Sequence, residues 1–302
     1  TFLSVPGAVE KGSFSYLQMV LGNVVGYWLI LGVLLPLYYR MNLTSIYAYL
    51  EERFGVKTRK VGAGFFLLSR IVGASLRLYL VALVLQKVLC DQYNIPFACT
   101  VGLTVLLVWL YTRRGGMKTV IWTDTLQTLF MFIALFTFLY WLAASFGGFT
   151  AAFEKLEAKN LSQFYFPGNW LDSSNFWRSF VSGIFLALVM NGLDQDMMQK
   201  NLTCRNLRDS QKNMFSLSII FLLINVCFVL LGGFLTVYAE QMGIDAHKDK
   251  LFTAVAQQAP LYLFVIFLLG IIGAAYSSAD SALTSLTTSL CVDFLDIENK
   301  DE

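Results

Sequence analysis

Gly270-Ile271-Ile272-Gly273-Ala274-Ala275-Tyr276-Ser277-Ser278-Ala279-Asp280-Ser281-Ala282-Leu283-Thr284-Ser285-Leu286-Thr287-Thr288-Ser289 closes an apolar run that begins near residue 259 and reaches about residue 292. The run exceeds the roughly 20 residues that cross a bilayer. It must therefore tilt, kink or extend past the membrane. It is also rich in hydroxyls where a plain lipid-facing helix would carry only Leu, Ile and Val. Ala274, Ser277, Ser278 and Ser281 follow i, i+3, i+4, i+7 spacing and share one helical face. One reading is a cation site. Sodium is a hard ion that takes oxygen ligands, and hydroxyls with freed carbonyls suit a monovalent ion that must leave again, whereas Mg²⁺ recruits more carboxylate. The other reading is small-residue packing, in which Ser and Ala let backbones approach closely. Composition alone leaves both open.

Outward from this stretch the whole chain has the same solvent. Of its 302 residues 57% are hydrophobic and 14% charged, against the 45–50% and about 25% of a soluble domain. Seven apolar runs are long enough to be read as membrane helices: 14–39, 62–90, 97–112, 119–146, 176–199, 214–239 and 259–292. A short stub at 1–9 reads as the tail of an earlier helix. The net charge of +2, with no basic cluster among stacking aromatics, gives no nucleic-acid signal. The five cysteines lack paired spacing and are read as buried or incidental, and the lone His247 as solvated. No HExxH, GxSxG or paired catalytic carboxylates appear, so the chain is not read as an enzyme. It starts at Thr1 with no signal peptide, ends in a polar stretch, and is expected to be cut at both ends.

The basic residues set an orientation. Arg40, Arg53, Lys57, Arg59 and Lys60 follow the first run, Arg113, Arg114 and Lys118 the third, and Lys200, Arg205, Arg208 and Lys212 the fifth. The alternate connections are poorer in base. The basic loops are therefore expected on the cytoplasmic side of an inner membrane. Within 40–60 the spacing predicts a short amphipathic helix closed by Gly55. Within 147–175 it predicts a helix from Phe149 to Ala158, followed by the aromatic cluster Phe164 to Trp170, suited to an external cap.

Charges inside apolar spans mark a pathway or a partner. Here they are Arg70, Arg77, Asp124, Asp194, Asp196 and Asp280. Arg70 and Arg77 are two turns apart and look the same way. They are read either as partners of an internal carboxylate, Asp280 or Asp124, or as contacts for an anionic group of a solute.

Two further stretches carry a resemblance. Arg114-Gly115-Gly116-Met117-Lys118-Thr119-Val120-Ile121-Trp122-Thr123-Asp124-Thr125-Leu126-Gln127 strongly resembles the sodium/solute symporter family, which includes sodium-coupled sugar, sialic acid, proline and vitamin carriers. So does Asp194-Gln195-Asp196-Met197-Met198-Gln199-Lys200-Asn201-Leu202, and Ser277-Ser278 looks like that family's sodium-binding pair. The resemblance implies an all-α polytopic membrane protein with the LeuT-type fold of two inverted five-helix repeats around a midplane site. It implies a first repeat over 1–146, from the second half of the broken first core helix to core helix five. An external loop over 147–175 and an incomplete second repeat over 176–302, with core helices six to eight, would follow. It also implies sodium at Ala274, Ser277 and Ser278, a second ion position at Asp124 with Ser281, and solute contacts near Thr1, Gln18, Arg70, Arg77 and Asp194. Asp280 stands where the sialic acid type has a serine.

The expected function is sodium-coupled symport of a small polar solute by alternating access. The alternative is the solute-sensing module of a symporter-like receptor, which a kinase domain after the chain's end would mark. The arginines favour an anionic or zwitterionic solute, with neutral sugar still open. The expected cofactor is the sodium ion, and the expected partners are that solute and the lipid bilayer.

Overall fold

The computed structural model describes residues 2–41, 48–86, 90–172, 174–202 and 204–291. Within its helices, the side chains of Arg77, residues 111–121, Gln195, Asp196 and residues 274–285 are among those outside the description. Every regular element among the described residues is a helix. In chain order the α-helices are α1 (Ser4–Gly12), α2 (Tyr16–Leu29), α3 (Leu35–Arg40), α4 (Ala48–Phe54), α5 (Val56–Leu85), α6 (Phe97–Ser145), α7 (Phe149–Ala158), α8 (Phe176–Ala187), α9 (Gln195–Leu202), α10 (Leu207–Met242), α11 (Asp249–Gln258) and α12 (Leu261–Ser289). Ser4–Arg40, Asp124–Ser145 and Leu207–Met242 are long and apolar enough to cross a membrane, and Phe97–Leu107, Phe176–Gly192 and Leu261–Gly273 are shorter apolar helices.

The chain divides into two compact units, Thr1–Asn42 with Phe132–Leu268, and Leu43–Met131 with Leu269–Glu302. In the first unit α2 crosses α8 with the backbones almost touching. A Cβ on Gly22 would stand 2.0 Å from the Phe180 carbonyl oxygen, and one on Gly183 2.2 Å from the Met19 carbonyl oxygen. Only glycine fits at such a crossing. α1 lies on α10, where a Cβ on Gly232 would meet the Pro6 carbonyl oxygen at 2.5 Å. Phe138, Phe252 and Phe267 are buried and pack edge to face, with Phe2 against Phe252 and Phe267.

Two π-helical turns interrupt the apolar helices of this unit. One, Ile30–Leu34, precedes Pro36. Proline has no N–H to give the preceding turn, and a wider turn absorbs the mismatch. The other, Leu188–Gly192, ends α8, and regular helix does not resume until α9. The two turns meet: a Cβ on Gly192 would stand 2.7 Å from Leu34 Cδ1 and 3.0 Å from Ile30 Cγ1. The Tyr38 hydroxyl donates to the Gly192 carbonyl at 3.0 Å, which satisfies an oxygen that the broken helix leaves free.

α1 is tied to the segments that follow α7 and α10. Ser13 turns the chain at φ 48°, its hydroxyl donates to the Asn160 carbonyl at 3.2 Å, and Phe14 N–H donates to the Gln163 carbonyl at 3.0 Å. Glu10 accepts from the Lys248 N–H at 3.0 Å and faces His247 Nδ1 at 2.5 Å. His247 is thus a tether between α1 and the start of α11, though its ring stays mostly exposed as the polar setting predicts.

In the second unit α4 is closed by Gly55 at φ 86°, and the Gly55 N–H donates to the Glu51 carbonyl at 2.8 Å. That is the expected stop, and α5 starts directly after it. Arg59 on α5 reaches back to Glu51 at 2.5 Å. The expected helix at Phe149–Ala158 is present as α7. One expectation differs. The runs 97–112 and 119–146 are not separated by a basic loop, because α6 continues through Arg113, Arg114 and Lys118. No proline lies between Phe97 and Ser145, and Arg, Met, Lys and Leu are good helix formers. Gly115 and Gly116 cost about 1 kcal/mol each in a helix, too little to break it alone.

Candidate functional site

The cation-site residues expected from the sequence lie on α6 and α12 in the second unit. Ala274, Ser277, Ser278, Asp280 and Ser281 belong to the unbroken helix α12, and their side chains lie outside the described residues. Their immediate neighbour Gly273 is described. A Cβ there would stand 3.1 Å from Gln127 Cγ and 3.4 Å from Gln127 Cα, so α12 and α6 are in close contact at this level. Asp124 lies one turn before Gln127 on α6 and is half-buried, with its backbone carbonyl taken by the Thr128 hydroxyl at 2.7 Å. The structure therefore brings together the two helices that carry the expected ion residues. Gln127 Oε1 is buried there and accepts no hydrogen bond. A desolvated oxygen without a donor is costly unless a cation or water meets it. The local donor set, a carboxylate and a neutral carbonyl oxygen beside a hydroxyl-rich helix, fits an oxygen-ligated monovalent cation.

The expected solute contacts fall in both units. Thr1 lies outside the described residues, as does the Arg77 side chain. Arg70 on α5 is half-buried, with its guanidinium 5.4 Å from the centre of the Phe66 ring, a cation–π distance. Asp194 sits in the gap between α8 and α9, and its Oδ1 accepts from the Met197 N–H at 3.2 Å. It thereby caps α9, a structural duty that the sequence reading did not give it. Gln18 on α2 is fully buried. Its Nε2 donates to the Phe164 carbonyl, and its Oε1 has no donor. The aromatic segment after α7 thus supplies a backbone partner for a residue of α2.

Two residues of this kind escaped the sequence reading. Gln127 and Asn225 each carry a buried side-chain oxygen with no hydrogen-bond partner. The resemblance pointed to one carboxamide, Gln18, but a neutral amide carries no charge by which the others would stand out in an apolar run. The usable signal was a neutral amide inside an apolar run.

Residues 1–294 match the model of the sodium:solute symporter family. The chain belongs to the sodium:solute symporter family. It is 27% identical over 269 residues to the human (Homo sapiens) sodium-coupled monocarboxylate transporter 2, covering 88% of this chain and 42% of that protein. It is 25% identical over 319 residues to the sodium/sialic acid symporter NanT of Aliivibrio fischeri, covering 100% of this chain and 60% of that one. Among solved structures, the substrate-bound outward-open state of a Na+-coupled sialic acid symporter superposes with a TM-score of 0.87 at 21% identity, over 99% of this chain and 63% of that one. The chain therefore spans less than two thirds of the length of these relatives. The likeness settles the fold, which is the LeuT-type fold expected from the sequence. The sodium:solute symporter family is one of multi-pass membrane transporters rather than enzymes.

Proposed function

We propose that the protein is a sodium-coupled symporter of a small anionic solute, working by alternating access in a cell inner membrane. The observation that carries this reading is the family match over residues 1–294. The names of the relatives support the anionic class, since one is a monocarboxylate transporter and another a sialic acid symporter.

In this reading sodium enters down its gradient and is held by the Ala274 carbonyl and the Ser277 and Ser278 hydroxyls of α12. A second position lies at Asp124 and Ser281, where α6 meets α12. The solute is held near Thr1, Gln18, Arg70, Arg77 and Asp194. Residues 1–146 form the first repeat and 176–302 belong to the second, joined by the external segment 147–175. In transporters of this architecture, half-helix N-termini point at anionic substrate groups near the midplane. By the family resemblance α1 stands as the second half of the broken first core helix, and its N-terminus would be such an end. Ion binding stabilises the state that takes up solute, and rocking of the bundle then exposes both to the cytoplasm.

The test is a thermal-shift and uptake screen of the full-length protein, with and without sodium, against monocarboxylates, sialic acids, amino acids and sugars. A bound ligand raises the stability of the state it binds by an amount that grows with the logarithm of its concentration over Kd. Sodium-dependent stabilisation by an anionic solute is the expected result. Replacing Ser277 and Ser278 together by Ala is expected to weaken the sodium response strongly in a folded protein. A wild-type sodium response in that double variant removes α12 as the ion site.

A further inference from the structure

Away from the ion and solute positions, one polar cluster joins two elements far apart in sequence. Glu10, near the end of α1, uses both carboxylate oxygens on the turn that starts α11. Oε2 accepts from the Lys248 N–H at 3.0 Å, and Oε1 faces His247 Nδ1 at 2.5 Å. The other ring nitrogen, Nε2, lies 3.2 Å from Asp245 Oδ1. The backbones meet beside this cluster, since a Cβ on Gly7 would stand 2.5 Å from the Lys248 carbonyl oxygen. Lys248 holds φ 55° and ψ −130°, outside the ordinary regions for a residue with a side chain. The Glu10 carboxylate thus steadies a turn that the chain alone disfavours. The charged neighbours are Lys11 on α1 and Asp249 and Lys250 on α11, while Glu240 at the end of α10 pairs with Lys159.

A ring set between two carboxylates does not treat its two protonation states alike. Neutral imidazole has one N–H and one lone pair, so it donates to one carboxylate and turns the lone pair on the other. Imidazolium donates at both nitrogens, and both bonds are charge-assisted. The closed arrangement therefore favours the protonated ring. When α11 lifts off α1, Glu10 leaves the ring and part of that preference goes with it. Closure and protonation are then linked. The closed form holds the proton more tightly, so acidification favours closure and rising pH releases it. Histidine changes charge between about pH 5 and pH 8, and this ring is 68% exposed, open to protons from the surrounding water.

We propose that His247, with Glu10 and Asp245, is a proton-operated latch that fastens the start of α11 to α1. Its ligand is a proton from the medium that bathes the segment 240–258, which the charge distribution assigns to the outside. External pH then sets how firmly α1 is held at its Glu10 end. The inference is independent of which solute is carried.

The experiment is amide hydrogen exchange on the purified full-length protein at pH 5.5 and pH 8, with each rate divided by the intrinsic rate at that pH. In wild type the amides of Leu251 to Val255 are expected to be about threefold better protected at pH 5.5, the size of effect an exposed charge pair gives. His247→Gln is neutral at every pH and is expected to show the lower protection at both. His247→Arg is charged at every pH, with several donors, and is expected to show the higher protection at both. Glu10→Gln keeps an acceptor for the Lys248 N–H but removes the charge, and is expected to flatten the response. A flat wild-type profile overturns the inference, as does a pH response that survives in the Gln and Arg variants. A response of equal size in α10 over Phe215–Leu223 also overturns it, because the proton would then act on the whole fold. Should Glu10→Gln fail to fold, the two variants at the exposed His247 decide.

Discussion

At the residue scale, the informative side chains are the charged and polar groups set inside apolar helices. Asp124 is the sharpest case. Asp124→Asn keeps the shape and removes the charge. If the carboxylate serves the ion, the variant needs more sodium for half-maximal uptake at normal expression. If it serves instead as a structural partner of an arginine, the variant loses thermal stability at unchanged sodium affinity, since stranding a buried charge costs about 3–5 kcal/mol. Asp194 allows a cleaner separation. Asp194→Asn retains the cap on α9, while Asp194→Ala loses about 1 kcal/mol with it. A solute contact through the charge is expected to lower uptake equally in both variants, with the fall in melting temperature confined to Ala. The sequence made Asp124 and Asp194 visible because charges stand out in apolar runs. Asp194's capping duty was not legible, because it depends on the π turn at Leu188–Gly192 that breaks the helix just before it. Nor were Asn225 and Gln127. A neutral amide looks unremarkable until its neighbours are seen to leave one oxygen without a donor.

At the element scale, the apolar runs were legible nearly to their ends. The spacing around Phe149–Ala158 and the stop at Gly55 were correct, because local signals decide both. The basic stretch at 113–118 was not, since charge announces exposure and not a change of backbone direction. The glycines of α2 and α8 carried information that one helix could not disclose. Gly22 and Gly183 each lie against the opposite backbone, and the partner atoms are carbonyl groups that have no rotamer to yield. Gly22→Ala and Gly183→Ala are each expected to cost about 3 kcal/mol or more, at or above the upper end of overpacking. Gly32 has open space where a Cβ would go, so Gly32→Ala is expected to be neutral or stabilising. Thermal melts of the three variants in detergent check the ranking. Gly7→Ala belongs with the severe pair, as its Cβ would stand 2.5 Å from the Lys248 backbone.

At the scale of the whole molecule, orientation follows from the distribution of charge. Lys57 and Arg208 lie in the basic segments expected on the cytoplasmic side. Single cysteines there, in a background free of the five native ones, should resist an impermeant thiol reagent in intact cells and react after permeabilisation. Labelling from outside at either position reverses the assignment. The fold itself was legible through three motifs in the right order, while the placement of each side chain around α1 depended on registers between helices far apart in sequence. The crossing of α2 and α8 has one more consequence. Two helices locked backbone to backbone have no room to slide or roll against each other. Spin labels at the exposed positions Trp28 on α2 and Phe185 on α8 would therefore report a single narrow distance whatever ion or solute is added. That pair is a built-in fiducial, a ruler of fixed length against which every moving part of the cycle can be calibrated.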